Sequence, residues 1–195
     1  MNDPLLGFPE IFPESATNQP PEKNPGPDSG LIRMKETPQC PNPTPYPKTL
    51  ILRDRRERKE RCTIWPLREH PSVRIVQHPW KQPPDLANYV LLWHEGPELS
   101  EADADKGLLL VDGSWRWAQK LSLPLLEMPK RSLRGIRTAY PRSSKLFDDP
   151  DGGLATVEAL YSAHHILSRD TKGFLDHYYW AKGFLHSNLR FCANP

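Results

Sequence analysis

A single α/β unit behind a Pro-rich arm is the fold class that the sequence predicts, and three observations carry it. Residues 108–111 (LLLV) form a continuous apolar run ahead of Asp112-Gly113, as expected of a strand buried on both faces of a parallel sheet. Short apolar runs precede it, and apolar residues at helical spacing follow it. Twelve of the chain's 23 prolines lie between Pro4 and Pro47, in a stretch too poor in apolar residues to offset its ordering entropy. Residues 1–45 are therefore expected to be a disordered arm. About 150 of the 195 residues remain for folding, enough for one domain or two small lobes and too few for a large multidomain enzyme.

The elements follow in order. KTLILR (48–53), VRIVQ (73–77) and NYVLLW (88–93) read as strands, each bounded by polar or Pro-rich residues. In ELSEADAD, Ser100 with Asp103 three residues later suits the capped start of a short helix. Gly113 turns the chain at the end of the 108–111 strand, and WRWAQKL then starts a helix. SLRGIRT (132–138) reads as one further strand. Leu154, Val157, Leu160, Tyr161, His164 and Leu167 recur at helical spacing, as do Phe174, Leu175, Tyr178, Leu185 and Leu189. The expected division is a small N-terminal lobe over 46–95 and a main domain over 96–192.

Composition excludes several classes. With 37% hydrophobic residues and a mean hydropathy of −0.67, no run approaches the roughly 18 apolar residues of a membrane span. MNDPLLGFPEIFPES lacks the basic and apolar regions of a signal peptide, so a cytoplasmic protein is expected. Cys40, Cys62 and Cys192 are odd in number and widely spaced, which argues against a disulfide framework and a structural zinc site. His164 and His165 would point about 100° apart on a helix, so they read as surface or satisfied histidines, and no metal is expected.

The net charge of +2 conceals segregation. Lys130, Arg131, Arg134, Arg137, Arg142 and Lys145 fall in a stretch without an acid, whereas residues 95–105 and 148–151 are acidic. Such a pattern suits a polyanionic partner, although solvated loops would explain it equally. The cluster from Arg53 to Arg61 mixes six basic residues with three acids, which can pair internally.

No GxGxxG, GxxxxGK[ST] or GxSxG is present. The sharpest local feature is Val111-Asp112-Gly113-Ser114-Trp115, at the edge of the sheet where ligands sit in open α/β folds. From spacing alone, a structural turn is favoured there, with Asp112 accepting backbone N–H bonds and Trp115 packed in the core. Glu158, near the start of an apolar helix, is explained by capping and the helix dipole.

Taken in order, Cys62-Thr63 with Leu67, LSEAD, VDGSW, the basic RSL stretch, LATVEAL and HYYWAKGFLHSN resemble the ribosome biogenesis family that modifies small-subunit rRNA. The DTW-domain proteins that modify tRNA uridines are similar at the Asp-x-Ser/Thr-Trp turn and the Glu-Ala helix. The resemblance spans residues 48–190 and rests on shared order, since no single motif is specific. It implies a SPOUT-like α/β fold with a C-terminal trefoil knot. It also implies S-adenosylmethionine (SAM) as donor of a 3-amino-3-carboxypropyl group to a uridine or pseudouridine in RNA. The expected partner is rRNA or a pre-ribosomal particle, and a monomer is expected.

Carried over by position, Thr63 matches the residue near the donor's amino acid end. Asp112 and Trp115 match the motif beside the sulfonium, Ala118 the small residue one turn later, and Leu133 the adenosine loop. Asp112 and Trp115 are thus the implied catalytic pair. Lys130, Arg131, Arg134, Arg137, Arg142 and Lys145 are the expected RNA contacts. Gly113 replaces the family's Cys or Ser, and RERKERCTIWPL lacks the family's Gly-Lys-Lys. Arg137 with Pro141 ahead of the Glu-Ala helix is closer to the DTW arrangement, which keeps tRNA open as substrate. A SPOUT-like RNA methyltransferase and a non-catalytic RNA-binding assembly protein are the alternatives.

Overall fold

The apolar runs read from the sequence become the strands of one parallel sheet. In the computed structural model the described residues are 45–80, 82–114, 118–120, 123–125, 127–141 and 153–192. The expected arm lies outside them save for its last residue, as do Trp115, Arg142 and Lys145. The strands are β1 (Thr49–Asp54), β2 (Val73–His78), β3 (Tyr89–Leu92), β4 (Gly107–Asp112) and β5 (Lys130–Arg131), in the spatial order β2-β1-β4-β3-β5. Every pairing is parallel. The boundary expected at residue 95 therefore falls within one hydrogen-bonded sheet, between β3 and β4.

Side-chain alternation divides the sheet's burial between two faces. Ile51, Val73, Val90, Leu108 and Leu110 point to one core, with Val157, Leu160, Phe174 and Phe184 from the C-terminal part packed on them. Leu50, Leu52, Leu91 and Leu109 point to the other, covered by Leu125 and partly by Trp80 and Met128. Each fully buried side chain of this size stabilises the fold by roughly 1.5–3 kcal/mol. All six residues of β1 are buried, whereas β2, an edge strand, exposes Arg74 and Gln77.

Helices α1 (Thr156–Ile166), α2 (Ala181–Ser187) and α3 (Leu189–Cys192) close the chain, and α1 packs on β4. Two expectations are corrected. Residues 132–138 are not a strand: β5 ends at Arg131, Ser132 makes a single bridge to Glu98, and Gly135 at φ 73° turns the backbone away. Phe174, Leu175 and Tyr178 are not helical either. Successive turns hold them, with Phe174 bonded to the Thr171 carbonyl and Tyr178 to that of Leu175, three residues back. Such turns repeat near every third residue, close enough to 3.6 to imitate a helix in the sequence. Phe174 and Tyr178 are buried all the same.

His164 is a satisfied core histidine. Its Nδ1 donates to the Asp170 carbonyl at 3.2 Å, so its Nε2 accepts from the Thr49 hydroxyl at 2.8 Å. Burial first, and the charge of Arg169 second, push its pKa down to about 4. The unfolded chain binds this proton near pH 6.5 and the folded chain only near 4, so acidification through that window favours unfolding. The urea midpoint should fall between pH 7 and pH 4, by up to about 3 kcal/mol of stability. In His164→Gln the slope across that window should flatten.

Candidate active site

Connectivity locates a crevice before any side chain is considered. From β1 the chain leaves towards β2 on one side, and from β4 it leaves towards β5 on the other. The carboxyl ends of these neighbouring strands form a topological switch point, the usual ligand position in open parallel sheets. The residues there are Arg53 and Asp112, direct cross-strand partners.

Asp112 is 7% exposed and Arg53 1%. One Asp112 oxygen accepts from the Thr156 hydroxyl at 2.7 Å, and the other from the Cys62 thiol at 3.1 Å. The Arg53 Nε lies 3.7 Å from that second oxygen and donates to the Cys62 sulfur at 3.4 Å. A further Arg53 nitrogen donates to the Glu57 carbonyl, and its guanidinium lies 5.2 Å from the centre of the Trp65 ring. The turn reading expected Asp112 to accept backbone N–H bonds; among the described residues its bonds come from side chains. Thr156 is the first residue of α1, so the carboxylate also faces a helix N-terminus, where negative charge is favoured.

The loop after β1 folds back over this edge. The Ser114 N–H donates to the Glu57 carboxylate at 3.1 Å, joining the loops after β1 and β4. Cys62 is held as a thiol, because burial, and then the Asp112 charge, raise its pKa to about 11. It is consequently a hydrogen-bond donor to Asp112 and not a nucleophile.

Glu158 does more than cap a helix. Fully buried, it accepts from the Ala155 N–H at 2.8 Å, the Ala139 N–H at 2.8 Å, the Thr138 hydroxyl at 2.6 Å and the Tyr178 hydroxyl at 2.8 Å. Asn188 holds the same loop from the other side, bonding both backbone groups of Arg137 at 2.8 Å. The segment leading out of the basic stretch is thereby clamped to α1 and to the end of α2.

Of the residues expected at the site, Asp112 is in the crevice and Thr63 follows Cys62 beside it. Ala118 is buried, and its N–H bonds the Ser114 carbonyl at 2.8 Å, so the turn after Asp112 opens into a helix. Leu133 follows β5 on the same edge, two strands from β4. Among the expected RNA contacts, Arg131 is bound to Asp103 at 2.8 Å, Lys130 is half-buried, and Arg134 and Arg137 are exposed. Sequence reasoning passed over Arg53, Trp65 and Thr156. One signal was available for Arg53, since KTLILR and LLLVD are strands that end on opposite charges.

The fold and the crevice define a parallel α/β protein with a switch-point site. No protein-family model matches the chain, and no curated protein matches it by sequence. Among solved structures it is similar to the SAM-dependent rRNA:acp-transferase Tsr3 from Vulcanisaeta distributa. The TM-score is 0.58 at 20% identity, over 75% of this chain and 81% of that one. At this identity the likeness establishes a shared fold.

The site itself yields a prediction. Iodoacetamide at pH 7.5 should leave Cys62 intact under conditions that alkylate an ordinary thiol of pKa about 8.5. Its rate should climb roughly tenfold per pH unit towards 11. Asp112→Asn should bring the midpoint down, as read by peptide mass mapping of Cys62.

Proposed function

We propose that this chain transfers the 3-amino-3-carboxypropyl group of SAM to a uridine or pseudouridine base in RNA, with rRNA the favoured substrate. The observation that carries this reading is the Asp112 carboxylate at the switch point of a sheet shared with Tsr3. The reading includes the SPOUT-like, knotted C-terminal half that the sequence resemblance implies.

The residues present fit the donor. Asp112 takes its two short bonds from neutral groups, the Thr156 hydroxyl and the Cys62 thiol, while Arg53 stays at 3.7 Å. Among the described residues its negative charge is only partly compensated, which suits a neighbouring cation. When bound, SAM supplies a carbon made electrophilic by its sulfonium. Asp112 would balance that charge, Thr63 would lie beside the amino acid end, and Ala118 and Leu133 would border the adenosine. Trp115, outside the described residues, is assigned the sulfonium-bearing chain through its ring face.

Three features of the chain serve such a reaction. A thiolate beside an alkylating donor would itself be alkylated, and the raised pKa of Cys62 keeps that group protonated. The hydrogen bonds from Thr156 and Cys62 fix the carboxylate's orientation, so the role assigned to Asp112 is charge balance. The Glu57–Ser114 bond ties together the two loops that would flank the donor.

SAM labelled separately in the carboxyl and the methyl group tests the assignment on rRNA and tRNA. Carboxyl label should enter RNA, and Asp112→Asn should lower the rate by about 100-fold, the scale of losing one electrostatic partner. Circular dichroism checks that the variant is folded. Methyl label alone would make the protein a methyltransferase. If neither label enters and calorimetry detects no SAM binding, the enzyme reading fails.

A further inference from the structure

Beside the crevice, along the edge strand β2, runs a groove of about 390 Å³ lined by Lys48, Trp65, Arg68, Glu69, Arg74 and Ile75. Trp65 belongs to both places. Its ring lies 5.2 Å from the buried Arg53 guanidinium, and it also gathers two exposed cations, the Lys59 ammonium at 4.7 Å and the Arg68 guanidinium at 5.6 Å. Contacts of this kind hold long cationic side chains over an aromatic ring.

The charge around the groove is lopsided for a structural reason. In the 53–61 loop, Asp54 is taken by Arg56 at 2.9 Å and Glu57 by the Ser114 N–H. Asp54 is therefore neutralised within the loop, whereas Glu57 keeps its charge and is half-buried against the loop after β4. The charges not paired within the loop are the exposed Lys48, Arg55, Arg58, Lys59, Arg68 and Arg74 against the exposed Glu60 and Glu69 and the half-buried Glu57, and Glu69 stands 3.7 Å from Arg68. Over its six residues β2 spans about 20 Å. Lys48, Arg68 and Arg74 thus line an extended track along β2, and Trp65, which also holds Lys59, joins it to Arg53 at the crevice.

We propose that this groove is a docking track for single-stranded RNA, whose phosphates its cations receive and whose chain it leads to the Asp112 crevice. The occupant follows from charge complementarity along an extended wall, the footprint of sequence-independent backbone binding. That the polyanion is RNA rests on the function proposed above. Trp65 acts as a positioning residue, presenting Lys59 and Arg68 together. Lys130 lies in β5, at the opposite edge of the sheet from β2, so the track is separate from the basic stretch that begins there.

Fluorescence anisotropy of a labelled 20-nucleotide single-stranded RNA with the full chain tests this. Arg68→Glu with Arg74→Glu should weaken binding at least 10-fold and lower the log–log salt slope by about 1.4, at about 0.7 per phosphate contact. Trp65→Ala should weaken it several-fold and Trp65→Phe should restore most of the loss, whereas Lys172→Glu should change nothing. Unchanged binding in the double variant, with loss on Arg134→Glu and Arg137→Glu, would overturn the groove and leave the proposed activity standing. Poly-glutamate competing as well as unlabelled RNA would mean an acidic protein partner and overturn the RNA assignment. If the wild type binds no RNA even at low salt, both the groove and the RNA substrate fall, and the labelled-donor assay reports independently on transfer.

Discussion

Arg53 and Asp112, one at the carboxyl end of each of two neighbouring buried strands, impose the constraint around which the rest of this edge is arranged. Taking a guanidinium and a carboxylate out of water costs several kcal/mol per ion unless each finds further partners. At 3.7 Å the two do not satisfy one another alone. The loop after β1 therefore folds back to offer the Glu57 carbonyl, the Cys62 sulfur and the Trp65 ring to Arg53. The first turn of α1 offers Thr156 to Asp112. Four separate parts of the sequence meet where two charges are buried between two strands.

A second buried acid does comparable work further along the chain. Glu158 has four hydrogen-bond donors, from the 138–139 loop, the residue before α1 and the turn bearing Tyr178. Removing the carboxylate would strand these donors, and each unsatisfied one costs about 1–3 kcal/mol. Asp112 and Glu158 lie on opposite sides of the start of α1 in sequence order, one reaching its first residue and one belonging to its first turn. The position of that helix thus couples the crevice to the loop beyond the basic stretch.

Strands were legible in the sequence where burial is continuous. LLLV and TLILR are apolar because both faces of β4 and β1 are covered. β5 was misplaced because a two-residue strand carries no period, and the turns at 171–180 imitated a helix because tight turns also repeat near every third residue. The Asp112 turn was visible as a motif, but its partners were not. Arg53, Cys62 and Thr156 lie 59, 50 and 44 residues away, and only strand register, the fold-back of the loop after β1 and the docking of α1 bring them together. Charge runs misled for the same reason. Arg131 looked unopposed until Asp103 met it across 28 residues, whereas in the mixed 53–61 cluster Asp54 pairs with Arg56 two residues on and Glu57 bonds Ser114 across 57 residues.

The central claim is that Asp112 carries a partly compensated charge that receives a sulfonium. It is tested most directly by calorimetric titration of SAM and of S-adenosylhomocysteine, its uncharged thioether counterpart, into the wild type and into Asp112→Asn. The account predicts that the wild type binds SAM the more tightly and that the preference disappears in the variant. Equal affinity for the two ligands in the wild type, or a preference for SAM that survives in Asp112→Asn, would contradict it.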